Sequence, residues 1–228
     1  MSISSVSSQR KHAIYKLFGL LASSIATLAW LATLATLFGL WAADDFRRYE
    51  HDDGEVAYIS NVGAEYKVEF IVGTAVTGTF FILTLILTKL CFDAEDRRRF
   101  RRGVSITSIV FGVIAGISLL LLAIFDSNNY AGVHYTFTGL FAVCTIISAI
   151  FTVCYRFSRK QVNLVVYLQV LFIGLVIPLG IVFVVMSVIK RSDDRSQLKS
   201  VAAAVEWSVA ILFIFYLSFF ILDFLLNS

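Results

Sequence analysis

Long apolar runs broken by short polar stretches set the pattern of this chain. Six runs are long enough to cross a bilayer: about Leu17 to Ala43, Phe70 to Phe92, Val104 to Phe125, Tyr135 to Tyr155, Val162 to Ile189 and Val201 to Leu226. A hydrocarbon layer of about 30 Å needs about 20 helical residues, each rising about 1.5 Å. Continuous apolarity without period-two alternation favours helices over a membrane barrel, whose strands run about 10 residues. The pattern predicts an all-α polytopic membrane protein, one bundle of six transmembrane helices over residues 1–228. The first and fifth runs exceed the minimum length, so tilt is expected. Pro178, the only proline, is expected to kink the fifth.

Composition agrees with lipid as the solvent. Hydrophobic residues make up 58% of the chain and charged residues 15%, against about 45–50% and about 25% in soluble domains. The net charge of +3 is modest and unevenly spread, so no nucleic-acid partner is implied. Cys91, Cys144 and Cys154 lie in or beside apolar runs and give no disulfide framework. The first apolar run is about twice the length of a signal-peptide core, so it reads as a membrane anchor.

Lysine and arginine in the short connections set the expected sidedness. The N-terminal stretch carries Arg10, Lys11 and Lys16. The second connection carries Arg97, Arg98, Arg99, Arg101 and Arg102, and the fourth carries Arg156, Arg159 and Lys160. A six-helix topology puts these on one side, expected to be cytosolic with both termini. The opposite side has Arg47, Arg48 and Lys67, while the fifth connection dissents with Lys190, Arg191, Arg195 and Lys199. The longest polar stretch, Asp44 to Glu69, is acidic and too short for a folded ectodomain.

Ionisable groups beside membrane spans cost free energy unless paired or hydrated, which makes them candidates for function. Glu69, Asp126, His134 and Glu206 fall near the same ends of four different spans. At one depth they can form a shared polar pocket, with His134 as proton carrier or hydrogen-bond donor. Solvation of each by headgroups and water is the competing reading. Asp223, one turn from the end of the last span, is expected to pair with Lys89 or a loop arginine. Gly112 and Gly116 form a GxxxG spacing suited to close helix approach within the chain. The arginines from Arg97 to Arg102 are candidate contacts for anionic headgroups, or simply the topology signal. Cys91 and Cys154 sit where palmitoylation occurs. No metal-ligand spacing, phosphate loop or nucleophile elbow is present, and no cofactor is implied.

Three stretches carry a family resemblance. Tyr58-Ile59-Ser60-Asn61-Val62-Gly63-Ala64 precedes the second span, Ile124-Phe125-Asp126 is followed closely by His134, and Glu206-Trp207 opens the last span that Asp223-Phe224 closes. In order and position these resemble the family uniting the damage-regulated autophagy modulators (DRAM), the yeast suppressor of phosphatidylinositol 4-kinase mutants and the GPI-anchor remodelling factors. Prolines common around the first signature are replaced here by Glu65-Tyr66-Lys67. The resemblance implies a multi-pass protein of lipid homeostasis, acting on phospholipid organisation at the plasma membrane or on GPI anchors in endomembranes (ER, Golgi or vacuole). It also implies that Ser60, Asn61, Gly63, Asp126, His134 and Glu206 form one outer-leaflet site. Gly63 there can take backbone angles closed to other residues.

Three functional readings follow. The first is a non-catalytic protein that organises or regulates membrane lipids, with lipids as its partners. The second is a membrane-embedded enzyme of lipid or GPI-anchor remodelling using His134 with Asp126 and Glu206. The third is a small transporter, supported only by acids at helix ends.

Overall fold

Helix begins well before the first apolar run and resumes after every connection. The computed structural model describes residues 3–49, 54–93, 98–188 and 195–226. Seven α-helices result: α1 (Ile3–Ala43), α2 (Ile59–Glu65), α3 (Lys67–Thr88), α4 (Arg99–Ile124), α5 (Ala131–Ser158), α6 (Leu164–Val188) and α7 (Arg195–Leu226), with a π-turn at Lys89–Asp93 after α3. All but α2 are long and apolar enough to span a membrane.

The fold is therefore an all-α bundle of six spans, as the apolar runs predict. Several spans extend beyond those runs, because polar residues outside the hydrocarbon still favour helix. The stretch from Asp44 to Glu69 departs most from expectation, since its second half folds as α2 with a buried face. Glu50, Asp52 and Asp53 of that stretch lie outside the described residues.

The spans close into a ring in the order α1, α3, α4, α5, α6, α7 and back to α1, and α3 also touches α7 across it. Neighbours pack closely except at one joint, between α5 and α6, where contact is sparse. The helix on that joint, α6, buries the smallest share of any span. It passes through Pro178 and continues to Val188, so proline does not end it.

Close approach of α3 and α4 depends on glycine. A methyl group added at Gly78 would lie 2.6 Å from the Gly116 carbonyl oxygen. Gly112 faces Leu85 of α3 and Ser148 of α5. The GxxxG spacing thus works inside the chain, on two neighbours at once.

Hydroxyls inside the bundle follow the rule that buried polar groups need partners in an apolar medium. Ser23, Thr74, Thr84 and Thr138 each donate to the carbonyl four residues earlier. Outward positions such as Leu28, Ile181 and Val184 are large, apolar and exposed, a surface that only lipid accommodates at this density.

Two ends of the bundle are distinct. One gathers α2, the α4–α5 turn and the start of α7, tied together by Ile59 with Glu206 and by Ser127 with Ser60. The other, the termini end, gathers the start of α1, the end of α7 and the ends of α3 and α5, where Cys91 meets His12 and Arg159 donates to the Phe92 carbonyl. Cys154 is exposed.

Candidate functional site

At the α2 end, seven residues with mixed polarity form a helix because α7 caps them. Tyr58, at the N-cap of α2, does not cap the helix with its side chain, which leaves the first backbone donors of α2 without an internal partner. Glu206 supplies one from outside: its Oε2 accepts the Ile59 N–H at 2.8 Å. A carboxylate at a helix N-terminus also meets the positive end of the peptide dipoles. The neighbouring Trp207 donates its Nε1–H to the Ala57 carbonyl at 3.0 Å. Glu206-Trp207 is thus a two-point clasp that holds α2 across the mouth of the ring.

The α4–α5 turn grips α2 from the other side. Ser127 donates toward the Ser60 carbonyl and Asn61 Oδ1, each at 3.2 Å. Asp126 closes its own turn by accepting from the Asn129 backbone at 2.7 Å and side chain at 2.9 Å. The Lys67 ammonium reaches the same carboxylate at 2.5 Å. Burial pushes the Asp126 carboxyl up, but Lys67 and the two Asn129 donors outweigh it and hold the carboxyl below its ordinary value. Asp126 is a structural anion locked by three donors.

Beneath this lid lies a cavity of about 140 Å³. Its walls are aromatic and aliphatic, led by Trp30, Phe141, Phe172, Val176 and Phe213. Ser60, His134 and Glu206 bring polarity to the α2 end, and Thr145, whose hydroxyl is buried with no hydrogen-bond partner, brings it to the depth of the membrane. One wall runs along the sparse joint, with Thr138 and Ala142 of α5 facing the region of Gly180 and Phe183 of α6. An added Cβ at Gly180 meets nothing within 4 Å.

His134 is buried, and its Nδ1 sits 2.7 Å from the Leu122 carbonyl oxygen and 3.1 Å from that of Phe125. Carbonyls only accept, so Nδ1 carries the proton in the neutral ring. Nε2 is then the bare acceptor of a side chain that lines the cavity. No described carboxylate takes the Nδ1 proton, so the His134–Asp126–Glu206 relay of the enzyme reading is not assembled. Asp126 is engaged with Lys67, and Glu206 with α2.

The structure thus brings Ser60, His134 and Glu206 to one cavity and keeps the other candidates out of its lining. Glu69 is exposed on α3, off the buried face formed by Phe70, Thr74, Thr77 and Phe81. Its inclusion in a shared pocket is corrected on that ground. Asn61 is buried in the lid contact with Ser127. Gly63 lies in α2, no glycine in the described chain has positive φ, and the Phe70 ring occupies the space of its missing Cβ. Close packing, not backbone freedom, is what requires glycine there. Arg98, Arg99 and Arg102 are exposed, Arg101 is half-buried, and none of the four lines a cavity. Arg97 lies outside the described residues.

At the termini end, Asp223 is fully buried and pairs with Arg156. Arg156 belongs to the last turn of α5, buried, rather than to a connection as its charge suggested. Lys67 as the partner of Asp126 and the α6 wall of the cavity carried no motif that sequence reading uses.

The geometry defines a polytopic helical membrane protein with an amphipathic cavity under a clasped helical lid. A family described as the Frag1/DRAM/Sfk1/Cwh43P N-terminal domain matches residues 18–226, and the chain belongs to that family. It is 24% identical over 226 residues to Protein sfk1 of Schizosaccharomyces pombe (strain 972), covering 96% of this chain and 67% of the relative. No solved structure matches the chain.

Proposed function

We propose that this protein binds a membrane lipid and, without chemical turnover, organises or regulates the lipids around it. One observation carries the reading: a cavity inside the membrane-spanning bundle that is largely apolar and has its ionisable groups, His134 and Glu206, at one end. Its 140 Å³ is comparable to the roughly 150 Å³ apolar cavities that admit benzene, which suits a stretch of acyl chain. Ser60, Glu206 and the Nε2 acceptor of His134 then face the headgroup or glycerol region. The loosely packed α5–α6 joint is the route from the bilayer. Family membership supports a role in lipid homeostasis, on phospholipid distribution or GPI-anchor lipid.

The excess of Lys and Arg at the termini end supports a cytosolic position for that end. Arg99, Arg101 and Arg102 stand in the first turns of α4, where peptide dipoles disfavour cations. Anionic headgroups of the cytosolic leaflet offset that cost. The plasma membrane is the compartment proposed, with ER, Golgi or vacuole as alternatives.

Gly180 lines the cavity, and an added Cβ there meets nothing within 4 Å outside its own stretch of helix, so a tryptophan is expected to occupy the cavity without displacing backbone. Native mass spectrometry of the full chain released from nanodiscs is expected to show one tightly held phospholipid, absent from Gly180→Trp. Equal retention by both would remove the proposal. The enzyme reading keeps one support, the fixed tautomer of His134. The same spectra separate it, because a lipid recovered with a mass change only when His134 is intact is a product.

A further inference from the structure

Both ends of the bundle are hollow, and what separates the hollows is polar. A second cavity, of about 250 Å³, opens at the termini end. Three of the helices that run past both cavities carry a polar residue between them. Along α7, Phe213 lines the first cavity, Phe220 lines the second, and Tyr216 stands between. Along α5, Thr145 belongs to the first, Thr152 to the second, and Ser148 lies between. Along α6, Phe172 belongs to the first, Asn163 to the second, and Gln169 lies between. Phe172 stacks on the Tyr216 ring at 4.8 Å, which brings α6 and α7 to one level. A partition therefore crosses the middle of the bundle, and it holds a phenol, an amide and a hydroxyl.

These groups are not paired as buried polar groups normally are. Gln169 is fully buried, and neither its amide nitrogen nor its carbonyl oxygen has a hydrogen-bond partner among the described residues. It is the one buried polar side chain described on α6, on a stripe otherwise formed by Val165, Val166, Phe172 and Val176. The Tyr216 hydroxyl, also fully buried, approaches the Ser148 side chain but stands outside hydrogen-bond geometry. Ser148 gives its own proton to the Ser108 carbonyl at 2.8 Å, so its oxygen can still accept. Thr145, at the edge of the first cavity, does not donate back along its helix as Thr138 does. An amide left unpaired in an apolar medium is costly. Protein interiors meet that cost with ordered water, each molecule holding about three hydrogen bonds. The joint between α5 and α6, where contact is sparse, is where packing leaves room for it.

We propose that this partition is a water-binding site, in which ordered water bridges Gln169 of α6 to Tyr216 of α7 and Ser148 of α5. The amide calls for both a donor and an acceptor, and the phenol calls for an acceptor; water supplies both. The bridge fastens α6, the least buried span, to its two neighbours through its interior amide. It also links the two cavities by hydrogen bonds without opening a channel. The site does not depend on what fills the first cavity.

X-ray hydroxyl-radical footprinting of the full chain in nanodiscs tests the site, because radicals formed from bound water oxidise the side chains that the water touches. Tyr216 is expected to be oxidised despite its complete burial. Gln169→Met keeps the length of the side chain and removes its polar atoms, and Tyr216→Phe removes one hydroxyl. Gln169→Met is expected to lower Tyr216 oxidation severalfold. Each variant is expected to lower the melting temperature by about 2–4 °C, the shift for one lost hydrogen bond in a chain of this size. The two substitutions together should cost about as much as one, because both break the same bridge. Tyr216 left unoxidised in the parent would overturn the proposal. So would either variant melting above the parent, the result for a polar group that is buried dry.

Discussion

Asp223→Ala is expected to destabilise the fold by about 3–5 kcal/mol, the loss typical when one member of a buried ion pair is removed. Asp223 is fully buried, and its partner Arg156 is 7% exposed. Truncation leaves a guanidinium without its counter-charge in a medium that cannot solvate it. Arg156→Ala strands the carboxylate in the same way. The pair itself is worth less than either loss, because both charges were desolvated to make it. The double variant Arg156→Met with Asp223→Leu should therefore be more stable than either single alanine variant. Thermal unfolding in detergent of the parent and the three variants makes the comparison. A single variant as stable as the parent would mean that lipid headgroups or water already solvate this pair.

Gly78→Ala is expected to cost about 1–3 kcal/mol, the range for overpacking a close contact. A methyl group there would stand 2.6 Å from a backbone oxygen of α4. Backbone cannot swing aside as a side chain does, so α3 and α4 must separate along their length. Gly139 is the matched control, with nothing within 4 Å of an added Cβ. There alanine should be neutral or gain up to about 1 kcal/mol from helix propensity. The contrast between two glycines in the same kind of helix isolates packing from propensity, again by thermal unfolding.

The six spans were legible because each apolar run is as long as the bilayer is thick, a constraint that leaves little freedom. Helix α2 was not legible. It has seven residues, too few to be stable alone, and its first donor is satisfied by a carboxylate that lies 147 positions away. His134 and Glu206 could be singled out because ionisable groups beside membrane spans are costly, and Ser60 through the family resemblance. Which of the flanking acids turns inward was a matter of helical phase. The series Phe70, Thr74, Thr77, Phe81 follows the helical repeat and leaves Glu69 off its face, so the exposure of Glu69 was recoverable. The Lys67–Asp126 pair spans 59 positions, and no spacing rule reaches that far.

The central claim, that lipid enters the bundle between α5 and α6, is tested most directly by photo-crosslinking. A phospholipid with a diazirine in its acyl chain is reconstituted with the protein, irradiated, and its adducts mapped by peptide mass spectrometry. Adducts are expected on the cavity-lining Thr138, Ala142 and Val176, and these should vanish in Gly180→Trp. Adducts spread over outward residues such as Leu140, Leu175 and Ile181, which are 40%, 44% and 60% exposed, and unchanged in that variant, would contradict the account.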